Sequence, residues 1–266
     1  MGHPAWKECR RGEECPVCGA TSWCTRTRDG KTVLCHETPS DRPSGDGWVH
    51  HLDGRERSKD EPEYKDCWPE VLDAAARISP ARRRALDREL GLPDGTSARM
   101  SYVGVGRDGG GEYALFPMWD GGGSLCGYSR RYRDGKKSWG RNGLFLPAHD
   151  PGGPMVLVVE GASDVLAAAA MGVYAVGRPS NTGGVEQLAE LLRTDRRVVV
   201  IVGENDEKAD GRIPGWTGMI AVRDQLGPRL RPTRVLARPM LDGVKDLREW
   251  AIQNRFDGGR LTNLIG

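Results

Sequence analysis

The sequence predicts an α/β chain, α+β overall, with a parallel sheet at its centre, and three observations carry that. Two short apolar runs, Val156-Leu157-Val158-Val159 and Val198-Val199-Val200-Ile201-Val202, are β-branched nearly throughout. Strands buried on both faces of a parallel sheet read this way. Each run ends in an acid beside a glycine, as Glu160-Gly161 and as Gly203-Glu204-Asn205-Asp206. From residue 151 to 254, strand-like and helix-like stretches alternate strictly, as a parallel sheet with right-handed crossovers requires.

The predicted strands cover 155–160, 173–176, 197–202 and 233–237, and the helices 163–171, 185–193, 216–226 and 246–255. Gly172 and Gly227 fall where helices end, and Ser163 is suited to cap the alanine-rich helix that follows it. Acids at strand carboxyl ends lie where open α/β sheets place their sites. Glu160, Glu204 and Asp206 are therefore expected to converge. Crowded carboxylates resist ionising together. A bound Mg2+ or Mn2+ relieves that, because these ions favour carboxylate oxygens. Asp164 reads as a partner of the helix dipole. Lys245-Asp246 precedes the last helix, and Asp246 is either its N-cap or a further acid near the metal. The stretch Gly177 to Gly184 is rich in small residues but lacks the spacing of a nucleotide-binding loop.

Length and composition set the frame. With 266 residues, the chain can bury one or two cores and carry a small module. A hydrophobic content of 38% with 29% charged residues fits a folded, soluble protein. No apolar run nears the roughly 18 residues of a membrane span, and residues 1–12 lack the apolar core of a signal peptide. The expectation is a cytoplasmic protein with no membrane partner. The net charge of +2 is too small to indicate a nucleic-acid partner by itself.

Residues 1–52 are expected to form a zinc-binding ribbon. Cys15 and Cys18 form a CxxC knuckle followed by Gly19. Asp29-Gly30 between Thr- and Val-rich flanks is a two-residue hairpin signal. With that loop, Arg28 pairs with Lys31 and Cys24 lies opposite Cys35 on the same face. Opposed Cβ atoms sit about 4.5–5.5 Å apart, so Cys15, Cys18, Cys24 and Cys35 can hold one structural Zn2+. His36 points to the other face and is the poorer ligand. Arg26, Arg28 and Lys31 form a surface for single-stranded nucleic acid. Trp23 is either a stacking platform on it or packing against the knuckle. Residues 53–68 are polar and charged without hydrophobic period, a mobile linker.

Residues 69–150 are expected to form a basic subdomain. Helices are predicted over 69–77 and 80–90, each opened by proline, then strands over 100–105, 112–119 and 125–132 with glycine-rich turns between. From Tyr128 to Arg141 there are six basic residues against one acid, interleaved with Tyr and Trp. Asp134-Gly135 marks a hairpin there, so Arg130, Arg131, Lys136, Lys137 and Arg141 line one ribbon suited to nucleic acid or triphosphate. Alternation puts Arg131 and Arg133 on one face and Arg130 and Tyr132 on the other.

Taken together, Glu160-Gly161 and Glu204-Asn205-Asp206 resemble the TOPRIM pattern of bacterial and phage primases, topoisomerases and some nucleases. The order of parts, with the four-cysteine module, linker and basic subdomain preceding residues 151–266, is similar to a primase of the bacterial or phage type. Lys245-Asp246 resembles a late Lys-Asp of the same proteins. Two features depart from the pattern: Glu204 stands where an Asp is usual, and residues 207–215 read as an insertion. The resemblance implies a DNA primase that makes short primers on single-stranded DNA from NTPs or dNTPs by two-metal nucleotidyl transfer. Glu160, Glu204 and Asp206 would be catalytic, with Lys245 near the nucleotide. A phage or mobile-element replication system and a replicative helicase partner go with it. A metal-dependent TOPRIM nuclease, or a non-catalytic single-strand-binding replication module, are the alternatives.

Overall fold

The computed structural model describes residues 6–40, 43–44, 47–52, 66–208, 211–240 and 243–265. The linker expected over residues 53–68 lies outside them except for residues 66–68. The chain forms two compact units, Met1–Glu63 and Tyr64–Gly266. No helix among the described residues is long and apolar enough to cross a membrane.

The first unit is one antiparallel sheet. Its strands are β1 (Trp6–Glu8), β2 (Thr25–Thr27), β3 (Thr32–Cys35), β4 (Pro43–Ser44) and β5 (Gly47–His51), in the order β1-β2-β3-β5-β4. The predicted hairpin is β2–β3. Thr25 pairs with Leu34 and Arg26 with Val33, which sets Cys24 across from Cys35. Asp29 accepts from the Thr27 hydroxyl at 2.6 Å and the Lys31 N–H at 3.1 Å, and Gly30 takes φ 69° in the loop. β5 was not legible in the sequence, and it carries His50 and His51. His50 Nε2 donates to the Thr38 carbonyl, and His51 Nδ1 lies 3.1 Å from the Thr32 hydroxyl. The buried core here is Cys9, Cys15, Cys24, Val33 and Cys35, mostly sulfur.

The second unit opens with α1 (Trp68–Arg77) and α2 (Pro80–Glu89), the latter capped by Ser79 Oγ on the Arg82 N–H. An antiparallel meander follows: β6 (Gly104–Asp108), β7 (Gly111–Trp119), β8 (Leu125–Tyr132) and β9 (Gly135–Gly140). The strand expected over 100–105 starts only at Gly104. A 3-10 turn at Thr96–Arg99 precedes it, and Tyr102 sits at φ 57°. The β8–β9 turn is Arg133-Asp134 rather than Asp134-Gly135, because Tyr132 pairs with Gly135. Lys136 therefore opposes Arg131. The faces divide as alternation requires: Tyr132 is buried and Arg130 half-buried, while Arg131 and Arg133 are exposed.

The rest alternates. β10 (Met155–Glu160), α3 (Ala162–Ala170), β11 (Ala175–Arg178), α4 (Val185–Leu191), β12 (Val198–Gly203), α5 (Pro214–Leu226), β13 (Val235–Pro239) and α6 (Leu247–Gln253) follow in order. A final α7 (Gly258–Ile265) was not foreseen. The strands order as β11-β10-β12-β13, all parallel. Because strand residues alternate faces, Leu157 and Val159 pack toward α3 and α6. Val156 and Val158 pack toward α4 and α5. Each fully buried Val contributes about 1.5–3 kcal/mol relative to exposure. Ser163 does not cap α3. Gly161 takes that position at φ 80° and ψ 174°, which a side chain would resist, and carries the chain sharply off the end of β10.

The two sheets of this unit share a core: Phe116 and Met118 of β7 cluster with Leu157 and Val159 of β10. Residues 144–145 stitch them together. Leu144 bridges to Trp119 and Phe145 to Gly177 by paired backbone hydrogen bonds of 2.7–2.9 Å. Residue 150 thus lies within one compact unit, and the face of β8 that carries Arg131 stands over the strand ends.

Candidate metal centres and the acid-lined cleft

The sulfurs of Cys15, Cys18, Cys24 and Cys35 all lie within 4.8 Å of one another. Cys18 and Cys24 are 3.7 Å apart, and Cys24 and Cys35 are 3.9 Å apart. A tetrahedron with Zn–S bonds of about 2.3 Å has edges of about 3.8 Å, so the set fits Zn2+. Backbone N–H groups point at these sulfurs: His36 N to Cys24 and Thr38 N to Cys35, at 3.5 and 3.3 Å. Burial pushes the Cys35 thiol up, but backbone donors at Glu37 and Thr38 outweigh it and hold the group at about 6. Burial pushes Cys24 well up, and a cation would reverse that by binding the thiolate. Cys9 is buried beside the cluster but outside it.

The second candidate is a cleft of about 390 Å³ where β8 and β9 overhang the carboxyl ends of β10 and β12. Glu160, Glu204 and Asp246 line it, as do Arg131, Lys136 and Lys245. Glu160 ends β10 and Glu204 follows β12, so each is placed by a buried strand. Asn205 anchors the turn between Glu204 and Asp206. Its Nδ2 donates to the Met240 and Val244 carbonyls at 3.0 and 2.8 Å, and its Oδ1 accepts from the Trp216 indole at 2.6 Å. Gly215 packs on the Glu204 backbone, where a Cβ would come within 2.3 Å of its carbonyl oxygen. Asp246 is the N-cap of α6, accepting from the Glu249 N–H at 2.8 Å, and it also faces the cleft.

The charges are unbalanced in a specific way. Glu204 is pushed up to about 7, by burial first and then by Glu160 and Asp246, with Lys245 acting the other way. Asp164 is buried in the first turn of α3, and its carboxyl is held well above the usual range by burial and by Asp246 and Glu204. Hard carboxylate oxygens with surplus negative charge suit Mg2+ or Mn2+. Of the three acids expected to converge, Glu160 and Glu204 line this cleft. Asp206 does not line the cleft. Its carboxylate accepts from the Gly215 N–H at 3.0 Å and pairs with Lys208 at 3.0 Å. Among the described residues, only the cysteines bring three or more such donors within 4.8 Å.

The basic residues also divide. Arg130 is engaged inside its own sheet rather than in the cleft. It pairs with Asp108 at 2.8 Å and lies 4.3 Å over the Trp139 ring and 4.5 Å over that of Tyr113. Lys137 lies 5.6 Å over the Tyr132 ring, and it and Arg141 are outside the cleft lining. Two further arginines were missed, because no local motif marks them. Arg248 lines the cleft from α6. Arg178, only 1% exposed, is the registered neighbour of Glu160 across β10–β11. Burial holds its pKa down, while Glu160 and Glu204 act to raise it.

No protein-family model and no curated protein sequence matches the chain. Solved structures do. A DnaG catalytic core is 18% identical at a TM-score of 0.55, covering 75% of this chain and 79% of that one. The E. coli primase catalytic core is 17% identical at a TM-score of 0.53, covering 73% and 78%. A DnaG primase catalytic domain bound to single-stranded DNA is 17% identical at a TM-score of 0.53, covering 76% and 79%. At such identities the likeness is one of fold, and in fold the chain stands with the primase catalytic cores.

Proposed function

We propose that the chain is a DNA primase that builds short primers from NTPs or dNTPs on a single-stranded DNA template. The observation that carries this is one cleft holding Glu160, Glu204 and Asp246 against Arg131, Lys136 and Lys245, on a fold like that of primase cores. One such core is bound to single-stranded DNA.

Glu160 and Glu204, with Asp246 beside them, would hold Mg2+ or Mn2+. When bound, one or two such ions would polarise the phosphoryl oxygens and favour ionisation of the attacking 3′-hydroxyl. Lys245 stands close enough to Glu204 to act against the rise in its pKa, and it is placed to meet a phosphate. Arg131 and Lys136, paired across β8–β9, bring two cations to the same opening and would orient the triphosphate or the template backbone. Asp206 would join the acids by releasing Lys208. In the first unit, Trp23 is 66% exposed and Arg28 and Lys31 are exposed, which suits contact with an unpaired strand. A replicative helicase is the partner such a primase would serve.

The test is incubation with single-stranded DNA, labelled NTPs or dNTPs and Mg2+ or Mn2+. New short products that vanish in Glu204→Gln support the primase. Shortened template would instead indicate a nuclease using the same acids, and retardation without chemistry a binding module.

A further inference from the structure

One cation lies buried beneath the acids rather than in the lining of the cleft. Arg178 ends β11, and among the described residues it is the only buried Lys or Arg and makes no ion pair within 4.0 Å. Parallel pairing puts it beside Glu160 on the same face of the sheet. Its Nη1 donates to the Asn181 carbonyl, and its Nε is buried without a partner. Arg197, a structural clamp at the other end of the sheet, is saturated by contrast: it meets Asp150 and Asp195 at 2.6 Å each. Burying a cation as poorly paired as Arg178 is costly. The field of Glu160, and then of Glu204, offsets that cost by favouring the charged form. A guanidinium keeps its charge at any working pH, so this charge is a permanent part of the acid site.

We propose that Arg178 is a resident cation of the acid site, supplying from the protein a charge that a second divalent ion would otherwise bring, so that the cleft takes one Mg2+ or Mn2+ and not two. The cleft holds three acids, Glu160, Glu204 and Asp246. One dication together with Arg178 sets three positive charges against them, and two dications with Arg178 would set five. Lys245, in the same lining, adds to that excess. Like charges this close repel strongly where water is scarce. Asp206, the acid that could enlarge the ligand set, is turned to the Gly215 N–H and to Lys208. The single ion rests on reading these acids as a metal centre. Arg178 is then a positioning residue, acting on the ion through the charge of the site and touching no substrate.

The experiment counts Mn2+ on the zinc-loaded full chain at pH 8 from the free-ion signal in electron paramagnetic resonance. A variant carrying both Glu160→Gln and Glu204→Gln is the blank that identifies the ions of the cleft. The wild type is expected to hold one Mn2+ above that blank. Arg178→Gln keeps a donor for the Asn181 carbonyl but removes the charge, and it should bind the first ion about tenfold tighter and admit a second. Arg178→Lys keeps the charge, and it should hold one ion within about threefold of the wild-type affinity. A lost fold or a displaced Glu160 would weaken Mn2+ instead, so the direction of the change separates this role from a structural one. Two ions on the wild type, or Mn2+ binding by Arg178→Gln that is unchanged or weaker in a folded protein, would overturn the proposal. If Arg178→Gln does not fold, the wild-type count decides. No Mn2+ on the wild type would sink the metal-centre reading together with this one. Primer synthesis is scored separately: one ion with the Arg178 effect but no synthesis would sink the primase reading and keep the resident cation.

Discussion

Asp164 Oδ1 accepts a hydrogen bond from the backbone N–H of Arg248 at 3.1 Å, clipping the first turn of α3 to the first turn of α6. Both turns border the cleft. Lys245 and Asp246, which precede α6, therefore stand beside Glu160 and Glu204 although more than 80 residues separate Asp246 from Glu160. The bond also explains why Asp164 is buried with so much negative charge near it. It closes the site from behind rather than opening into it.

A pH dependence follows from Glu204. Its folded-state value of about 7 lies above the ordinary 4.5. The folded protein thus holds that proton more tightly, and stability falls as pH rises from about 4.5 through 7. In Mg2+-free buffer, Glu204→Gln should remove this term. Discounted for partial solvent access, the variant should be more stable than wild type at pH 8 by about 1 kcal/mol, or roughly 2–4 °C in Tm. Denaturation at pH 5 and pH 8 checks it, and an identical pH slope in the two proteins would contradict it.

Asp246 has two roles that substitution can separate. Asn caps a helix about as well as Asp, so Asp246→Asn should keep Tm near the wild-type value while cutting primer synthesis by about tenfold or more. Asp246→Ala should lose synthesis and about 1 kcal/mol of stability as well. Tm and product yield, measured side by side, decide this.

Arg130 and Lys136 should behave in opposite ways. Arg130 is held by Asp108 and three aromatic rings. Its replacement by Ala should cost about 2 kcal/mol, roughly 4–8 °C in Tm. Lys136 is exposed on the cleft. Lys136→Ala should leave Tm within about 1 °C and weaken nucleotide or template binding by about 3- to 10-fold. Thermal scans and binding isotherms on both variants provide the check.

The cysteine set makes a compositional prediction. Metal analysis should find about one zinc per chain. Cys24→Ser should abolish it, while Cys9→Ala, next to the cluster but outside the set, should retain it. Loss of zinc in both would enlarge the ligand set, and retention in both would remove Cys24 from it.

Much of this was legible because it is local. The β2–β3 register follows from Asp29-Gly30 and counts correctly to Cys24 and Cys35. The buried strands announce themselves as β-branched runs, and β8 begins and ends at the residues its pattern indicates. Illegible features depend on distant partners. Asp134-Gly135 was the stronger turn signal, yet packing of Tyr132 on Tyr113, with its hydroxyl 2.7 Å from Asp108, moved the turn back by one residue. Arg130 looks like its neighbour Arg131 in sequence, and only strand pairing places one among aromatic rings and the other in the cleft. Arg178, Arg248 and the N-cap role of Gly161 arise from chain geometry that no spacing rule encodes. The departure of Asp206 from the cleft depends on Lys208 and Gly215, which the sequence shows only as an insertion.

Mn2+ binding, followed by electron paramagnetic resonance on zinc-loaded protein at pH 8, probes the acids at the ends of β10 and β12 most directly. The account predicts binding by the wild type that Glu160→Gln and Glu204→Gln each weaken by about tenfold or more. Equal Mn2+ binding by all three proteins, or none by the wild type, would contradict it.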